Sequence, residues 1–334
     1  MDPDAVAGLD RVPHGGASDA TLLDFSANTN PNRPRGVAGV YESALGAATR
    51  YPRDDYCEFR TTAGEYLGCE PLNVVPTAGG MAALRLTVET TLSEDDEALL
   101  PMPSFGEYER EVRLQGADPT FVAHDQILET DPEPYELVVV CNPNNPTGDG
   151  YPRADLVGYA ERCRASDTVL LVDEAFLDFT DARTLAGESG VVVARSLTKI
   201  FGLPGLRAGL AVATDDLRER LDAARPPWGV STPAADVAAH CFRQTRFVAE
   251  TRDRVRGERE RMADALDARF DVRPSDAPFL LLRVEDESVN GVIDDARNEG
   301  IVIRDATTFR GLDSHVRVAV RRPDENDRLL DALL

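Results

Sequence analysis

The stretch Arg195-Ser196-Leu197-Thr198-Lys199-Ile200-Phe201-Gly202-Leu203-Pro204-Gly205-Leu206-Arg207 holds the only lysine in a chain of 334 residues. Lysine is ordinarily among the commonest residue types, so one that is purged elsewhere and kept here points to chemistry. What lysine alone supplies is a primary amine that condenses with a carbonyl, as in the Schiff bases of pyridoxal phosphate (PLP) enzymes. A leftover surface charge is the plain alternative, and the surroundings of Lys199 count against it.

Working outward, the apolar run at 191–194 that leads into Ser196 reads as a buried strand. Similar runs lie at 73–76, 97–102, 119–123, 137–141, 169–172 and 208–213, with helical stretches at 81–91, 107–114 and 155–164 between them. This alternation predicts an α/β fold, a mostly parallel seven-stranded sheet covered by helices on both faces. Residues 1–35, rich in Gly, Pro and Asn, read as an irregular arm with little helix, and 36–228 as the large domain. After Pro226-Pro227-Trp228-Gly229 the texture changes, and a long charge-laced helix is expected from 234 to about 270. Residues 229–334 form the expected small α+β domain, with strands at 279–284, 301–304 and 316–320 and helices at 289–299 and 324–334.

Composition narrows the function classes. Lys plus Arg is 36 against 59 Asp plus Glu, a net charge of −23, and all but one of the cations are arginine. That balance fits a protein kept soluble at very high salt, and it carries no electrostatic footprint for nucleic acid. No stretch approaches 18 apolar residues, and Met1-Asp2-Pro3-Asp4-Ala5 has no basic or apolar leader, so the expectation is a cytoplasmic protein without a membrane partner. Five cysteines without a CxxC pair and four scattered histidines predict reduced thiols and no metal site.

Polar residues cluster where strands end. Asn142 to Gly148 follows one strand, Asp173-Glu174-Ala175-Phe176 ends another, Ser196 to Lys199 ends a third, and Ala78-Gly79-Gly80 leads from a strand into a helix. In open α/β sheets ligands sit outside the carboxyl ends of the strands, so these segments converge on one crevice. If the ligand is PLP, each has a task. Lys199 takes the aldehyde, and Asp173 keeps the pyridine nitrogen protonated so that the ring acts as an electron sink. Asn145 donates to the phenolic oxygen, and Phe105 stacks on the ring. The phosphate takes the backbone amides around Gly79, Gly80 and Met81, the hydroxyls of Ser196 and Thr198, and the Arg207 guanidinium. Taken singly these are a loop, a helix cap, a core aromatic and a weak glycine pair. Their order and shared position are what a scatter of structural residues does not explain.

The order Tyr51-Pro52, Asn144-Asn145-Pro146-Thr147-Gly148, Asp173-Glu174-Ala175, Ser196-Leu197-Thr198-Lys199 and Pro204-Gly205-Leu206-Arg207-Ala208-Gly209 resembles the PLP-dependent fold type I, class I/II aminotransferase family. Within it the likeness is to the histidinol-phosphate aminotransferase branch, over nearly the whole chain. The resemblance implies that Lys199 is the Schiff-base lysine, Asp173 the pyridine partner and Asn145 the donor to the phenolic oxygen. It makes Phe176 a further cofactor contact. It also implies a homodimer in which Tyr51 reaches the cofactor phosphate of the neighbouring subunit.

Several stretches look more like the threonine-phosphate decarboxylases of cobalamin biosynthesis. These are His14-Gly15-Gly16, Leu23 to Asn28, Asp173 to Phe179, Pro227-Trp228, Ile303-Arg304-Asp305, Gly311-Leu312-Asp313 and Val316 to Arg321. One departure is Gly80-Met81, where relatives place an acidic or hydroxyl side chain after the glycine. The likeness implies decarboxylation of L-threonine O-3-phosphate to (R)-1-amino-2-propanol O-2-phosphate, with transamination of histidinol phosphate as the alternative and a noncatalytic PLP-fold protein as a third reading. On this reading Arg304 meets the substrate phosphate and Arg317 the carboxylate, with His14, Ser26, Asn28 and Asn145 closing over the substrate. In a chain so rich in arginine, Arg304 and Arg317 also have a bland reading as ordinary ion pairs.

Overall fold

The computed structural model describes residues 1–334. Seven strands form one sheet in the spatial order Val74–Thr77, Gly209–Val212, Val191–Ser196, Val169–Asp173, Leu137–Cys141, Glu97–Met102 and Asp118–Ala123. Gly209–Val212 runs antiparallel to both neighbours, and the other pairings are parallel. The central strands Leu137–Cys141 and Val169–Asp173 are buried along their whole length, as β-branched residues covered by helices on both faces should be. Because six strands share a direction, their carboxyl ends meet along a single edge.

The smaller unit carries a four-stranded antiparallel sheet in the order Arg304–Asp305, His315–Ala319, Phe279–Arg283 and Asp271–Val272. The expected strand at 301–304 is two strands. Ile301–Val302 pairs with the arm strand Leu23–Asp24, whereas Arg304–Asp305 pairs with His315–Ala319. Ile303, buried between them, marks where the chain changes sheets. The arm is therefore woven into the small unit. The Phe25 N–H donates to Val302 at 2.7 Å, and its carbonyl accepts from Ala319 at 2.9 Å. Apart from the short helix Pro3–Gly8, the arm is otherwise irregular.

The single long helix expected from 234 to 270 is broken at Arg243-Gln244 into Thr232–Phe242 and Thr245–Leu266. Neither Gly nor Pro causes the break; the two halves bury different faces. Thr232–Phe242 packs against Val37–Leu45 and Cys57–Leu67, and Thr245–Leu266 against Pro323–Leu333 and the turn Leu177–Phe179. Hence the first helix after Trp228 is still seated on elements of the large unit. One apolar cluster runs from Phe59 and Val172 to Phe279 and Val318, so both units share a core beneath the sheet edge.

Candidate active site

Lys199 sits in the short helix Leu197–Ile200, directly after the strand Val191–Ser196. The arm holds this turn. The Asn30 N–H donates to the Lys199 carbonyl at 3.0 Å, and the Asn30 amide donates to the Ile200 carbonyl at 2.7 Å. Gly202 is required here. Its φ is +64°, and a Cβ would lie 2.3 Å from the Asn32 carbonyl oxygen and 2.5 Å from that of Asn30. The arm thus crosses the lysine turn at backbone contact.

The amine faces a cavity of about 200 Å³ whose wall includes Phe105, Asn145, Phe176, Arg304 and Arg317. His14, Ser26 and Asn28 of the arm complete that wall. The ammonium position lies 5.6 Å from the Phe176 ring centroid. Burial pulls the Lys199 pKa down to about 8, Arg317 and Arg207 add to the fall, and Asp173 opposes it. A larger cleft, around Tyr66, Arg153 and Arg252, lies away from the amine.

Asp173 ends its strand 8% exposed, with Oδ1 accepting from the Ala175 N–H at 3.0 Å and Oδ2 from the Tyr108 hydroxyl at 2.7 Å. Burial pushes its carboxyl above the ordinary range, and the Tyr108 and Ala175 hydrogen bonds, with Lys199 and Arg195, oppose that rise. Tyr108 has no place in the sequence expectations. It lies 65 positions from Asp173, and only the side-by-side sheet edge brings the two together.

Around Gly79 the chain brings together a helix start, two hydroxyls and a guanidinium. The helix Gly80–Thr91 has Gly79 as its N-cap, which has a φ of +96° and, lacking a side chain, leaves the first amides without a side-chain cap. A Cβ on Gly79 would stand 2.4 Å from Arg207 Nη2, so the glycine admits the guanidinium over the helix start. Arg207 is tied there through Nη2 to the Ala78 carbonyl and through Nη1 to the Pro204 carbonyl, each at 3.2 Å. The Ser196 and Thr198 hydroxyls are 2.7 Å apart on the same side, since Gly80 lies against Ser196. Met81, partly buried, packs on the neighbouring apolar cluster and offers its backbone alone.

On the opposite wall Arg317 is 5% exposed and makes no ion pair. Its guanidinium donates to the Asn145 side-chain oxygen and to the Ser26 carbonyl, the latter at 3.1 Å. With the Asn28 amide oxygen turned toward it, Asn28 accepts at 3.1 and 3.3 Å. Burial pulls Arg317 down to about 9, and Arg304 adds to the fall. Arg304 also lacks an acidic partner. It donates to the Pro13 carbonyl at 2.7 Å and to Thr308 at 2.9 Å. The bland reading of these arginines as ion pairs does not describe them.

His14 does have an acidic partner, Glu107 Oε1 at 2.8 Å, which the sequence did not suggest. The Ser26 hydroxyl donates to Asp24 at 2.6 Å and accepts from the Gly16 N–H at 2.8 Å, so it shapes the arm while lining the cavity. Tyr51 lies outside the cavity, 77% exposed and stacked on Trp228 with 4.5 Å between centroids. No helix is long and apolar enough to cross a membrane.

These residues fit PLP. There is a buried uncapped amine, a buried carboxylate, an aromatic wall and, at a helix start, a cradle that any residue other than glycine would fill. The comparisons agree. The profile described as aminotransferase class I and II matches residues 20–333. The histidinol-phosphate aminotransferase 2 of Archaeoglobus fulgidus is 32% identical over 329 residues, spanning 94% of this chain and 93% of that one. The threonine-phosphate decarboxylase of Salmonella typhimurium is 32% identical over 337 residues, spanning 95% and 92%. Among solved structures, L-threonine-O-3-phosphate decarboxylase from Porphyromonas gingivalis superposes with a TM-score of 0.85 at 26% identity, covering 93% of this chain and 98% of that one.

Proposed function

The chain belongs to the aminotransferase class I and II family, a PLP-dependent enzyme family, and from that premise we propose that it decarboxylates L-threonine O-3-phosphate to (R)-1-amino-2-propanol O-2-phosphate, a step serving cobalamin biosynthesis. One observation carries this reading. Two guanidiniums without acidic partners, Arg304 and Arg317, share a cavity of about 200 Å³ with the only lysine. A compact substrate with two anionic groups, one phosphate and one carboxylate, neutralises both. Histidinol phosphate has a phosphate and no carboxylate, although the 2-oxoglutarate that a transaminase also takes has two carboxylates.

PLP, when bound, supplies the electron sink for whichever Cα bond of the substrate breaks. The chain's own residues set which bond that is. Arg317, braced by Asn145, Asn28 and the Ser26 carbonyl, holds the carboxylate in a fixed direction. Arg304, with His14 across the cavity, takes the phosphate. A substrate clamped at both ends has its Cα torsion restricted, and the bond to the carboxylate held by Arg317 is the one these contacts would favour for cleavage, releasing carbon dioxide. Lys199, with a pKa near 8, then gives the proton back at its Nζ. Ring stacking by Phe105, contact with Phe176 and donation by Asn145 to the phenolic oxygen belong to the same proposal, as do the phosphate contacts of Gly79, Gly80, Met81, Ser196, Thr198 and Arg207.

The alternative is transamination, in which Lys199 removes the Cα proton instead. Equal identity to a histidinol-phosphate aminotransferase favours it. We further propose a cytoplasmic, salt-adapted homodimer in which Tyr51 completes the partner's site, with units divided at 228/229 and the helix Thr232–Phe242 of the second resting on the first. Incubation with O-phosphothreonine should release carbon dioxide stoichiometrically. Turnover of histidinol phosphate with 2-oxoglutarate and no carbon dioxide would replace the decarboxylase reading with the transaminase.

A further inference from the structure

The Tyr108 side chain touches two of the groups assigned to the cofactor ring. Only 3% exposed in the helix Glu107–Arg113, it donates its hydroxyl to Asp173 Oδ2. Its ring stands edge-on to Phe105, with 5.6 Å between centroids and an interplanar angle of 86°. Asp173 Oδ1 is meanwhile held by the Ala175 N–H, so each carboxylate oxygen has one fixed donor and the plane of the group is set. Cys141, at the end of the adjacent strand, directs its thiol to the Pro143 carbonyl at 3.2 Å.

A carboxylate in such a place is under pressure to take up a proton. Desolvation disfavours its charged form, and a neutral acid would offer the ring nitrogen a hydrogen bond without the charge that keeps it protonated. The Tyr108 hydroxyl is the foremost group opposing that pressure. Burial also drives the phenol's own ionisation far upward, so it remains a donor throughout the working range.

We propose that Tyr108 is a positioning residue for the cofactor's ring nitrogen, holding Asp173 ionised and aimed so that the nitrogen stays protonated. This rests on the placement of PLP against Asp173 given above. The effect of Tyr108 must then pass through the nitrogen, and it must vanish when the nitrogen is absent.

The test is a comparison of two cofactors. Wild type, Tyr108→Phe and Asp173→Asn, each stripped of cofactor, are titrated with PLP and with its 1-deaza analogue, which has carbon in place of the ring nitrogen. Cofactor absorbance gives each dissociation constant, and circular dichroism reports the fold. Tyr108→Phe should weaken PLP by about tenfold, the order expected for one charge-assisted hydrogen bond, and leave the analogue unchanged. Asp173→Asn should show the same selectivity more strongly. Equal losses for both cofactors in Tyr108→Phe, with Asp173→Asn selective, overturn the role of Tyr108 alone. An unselective Asp173→Asn overturns the cofactor placement itself. If Tyr108→Phe does not fold, 3-fluorotyrosine at 108 keeps the shape with a stronger donor. It should increase the preference for PLP over the analogue, and an unchanged preference overturns the inference.

Discussion

Arg317 lies near enough to Lys199 to be, after burial, the strongest influence holding that amine at about pKa 8. The sign follows from charge. A neighbouring cation penalises the protonated amine, so the neutral nucleophile is present at lower pH than in free lysine. The rate at which the cofactor-free protein takes up PLP should therefore rise with pH through an inflection near 8. In Arg317→Gln the inflection should move upward. Stopped-flow absorbance across pH 6 to roughly 10.5 checks both, the upper limit being near the pKa of free lysine.

Lys199→Ala should fold, bind PLP only noncovalently and lose turnover. Borohydride reduction of the wild-type holoenzyme should fix the cofactor in one peptide, the one containing Lys199, because the chain has no other lysine. Peptide mass mapping reads the outcome, and an adduct elsewhere would contradict the assignment of the amine.

The two unpaired arginines should differ in weight. If Arg317 meets the substrate carboxylate, Arg317→Gln removes that buried charge, and kcat/KM for O-phosphothreonine should fall by a hundredfold or more, corresponding to about 3–5 kcal/mol. Arg304→Gln, nearer the surface, should cost about tenfold, mostly in KM. Steady-state kinetics on both variants separates the contributions.

Arg195 pairs with Glu174 at 3.1 Å and also with Asp178, which accepts from the Tyr66 hydroxyl at 2.7 Å. The Glu174 side chain has no exposure at all. Arg195→Leu leaves that carboxylate unpaired, and unfolding in urea should show a loss of about 3–5 kcal/mol. Arg246→Ala, which breaks a solvent-exposed pair with Glu250, should leave the midpoint unchanged.

If Tyr51 serves the neighbouring subunit, Tyr51→Ala and Lys199→Ala should each be nearly inactive and should complement one another. Random mixing of the two makes half the dimers hybrids, each with one intact site, so about a quarter of wild-type activity should return. No recovery after refolding the mixture would place Tyr51 outside the partner's site.

The sheet was legible in the sequence because its strands are short apolar runs ending in residues that cannot be core. The expected 97–102 and 137–141 match the observed strands. The positions of Lys199 and Asp173 at strand ends were legible for the same reason. The break at Arg243-Gln244 was not, because the amphipathic pattern continues across it and only the two different packing partners separate the helices. The split at Ile303 was hidden likewise, since Ile301 to Arg304 reads as one short strand and only the two different pairing partners divide it. Tyr108 and Glu107 stand beside Phe105 in sequence, yet their acceptor and donor, Asp173 and His14, are 65 and 93 positions away. Side-chain pairings across such distances leave no local signal.

The pairing of Leu23–Asp24 with Ile301–Val302, and of Phe25 with Ala319, gives the molecule an order of completion. A chain synthesised from its amino end makes the arm first and the arm's partners among the last. Through most of synthesis the arm has no strand to join, while the seven-stranded sheet, finished at Val212, has all its pairings available. The nascent protein thus passes through a stage at which the strand leading to the lysine turn is already paired and the wall bearing Arg304 and Arg317 does not yet exist. The half that carries the lysine is born before the half that carries the two unpaired arginines.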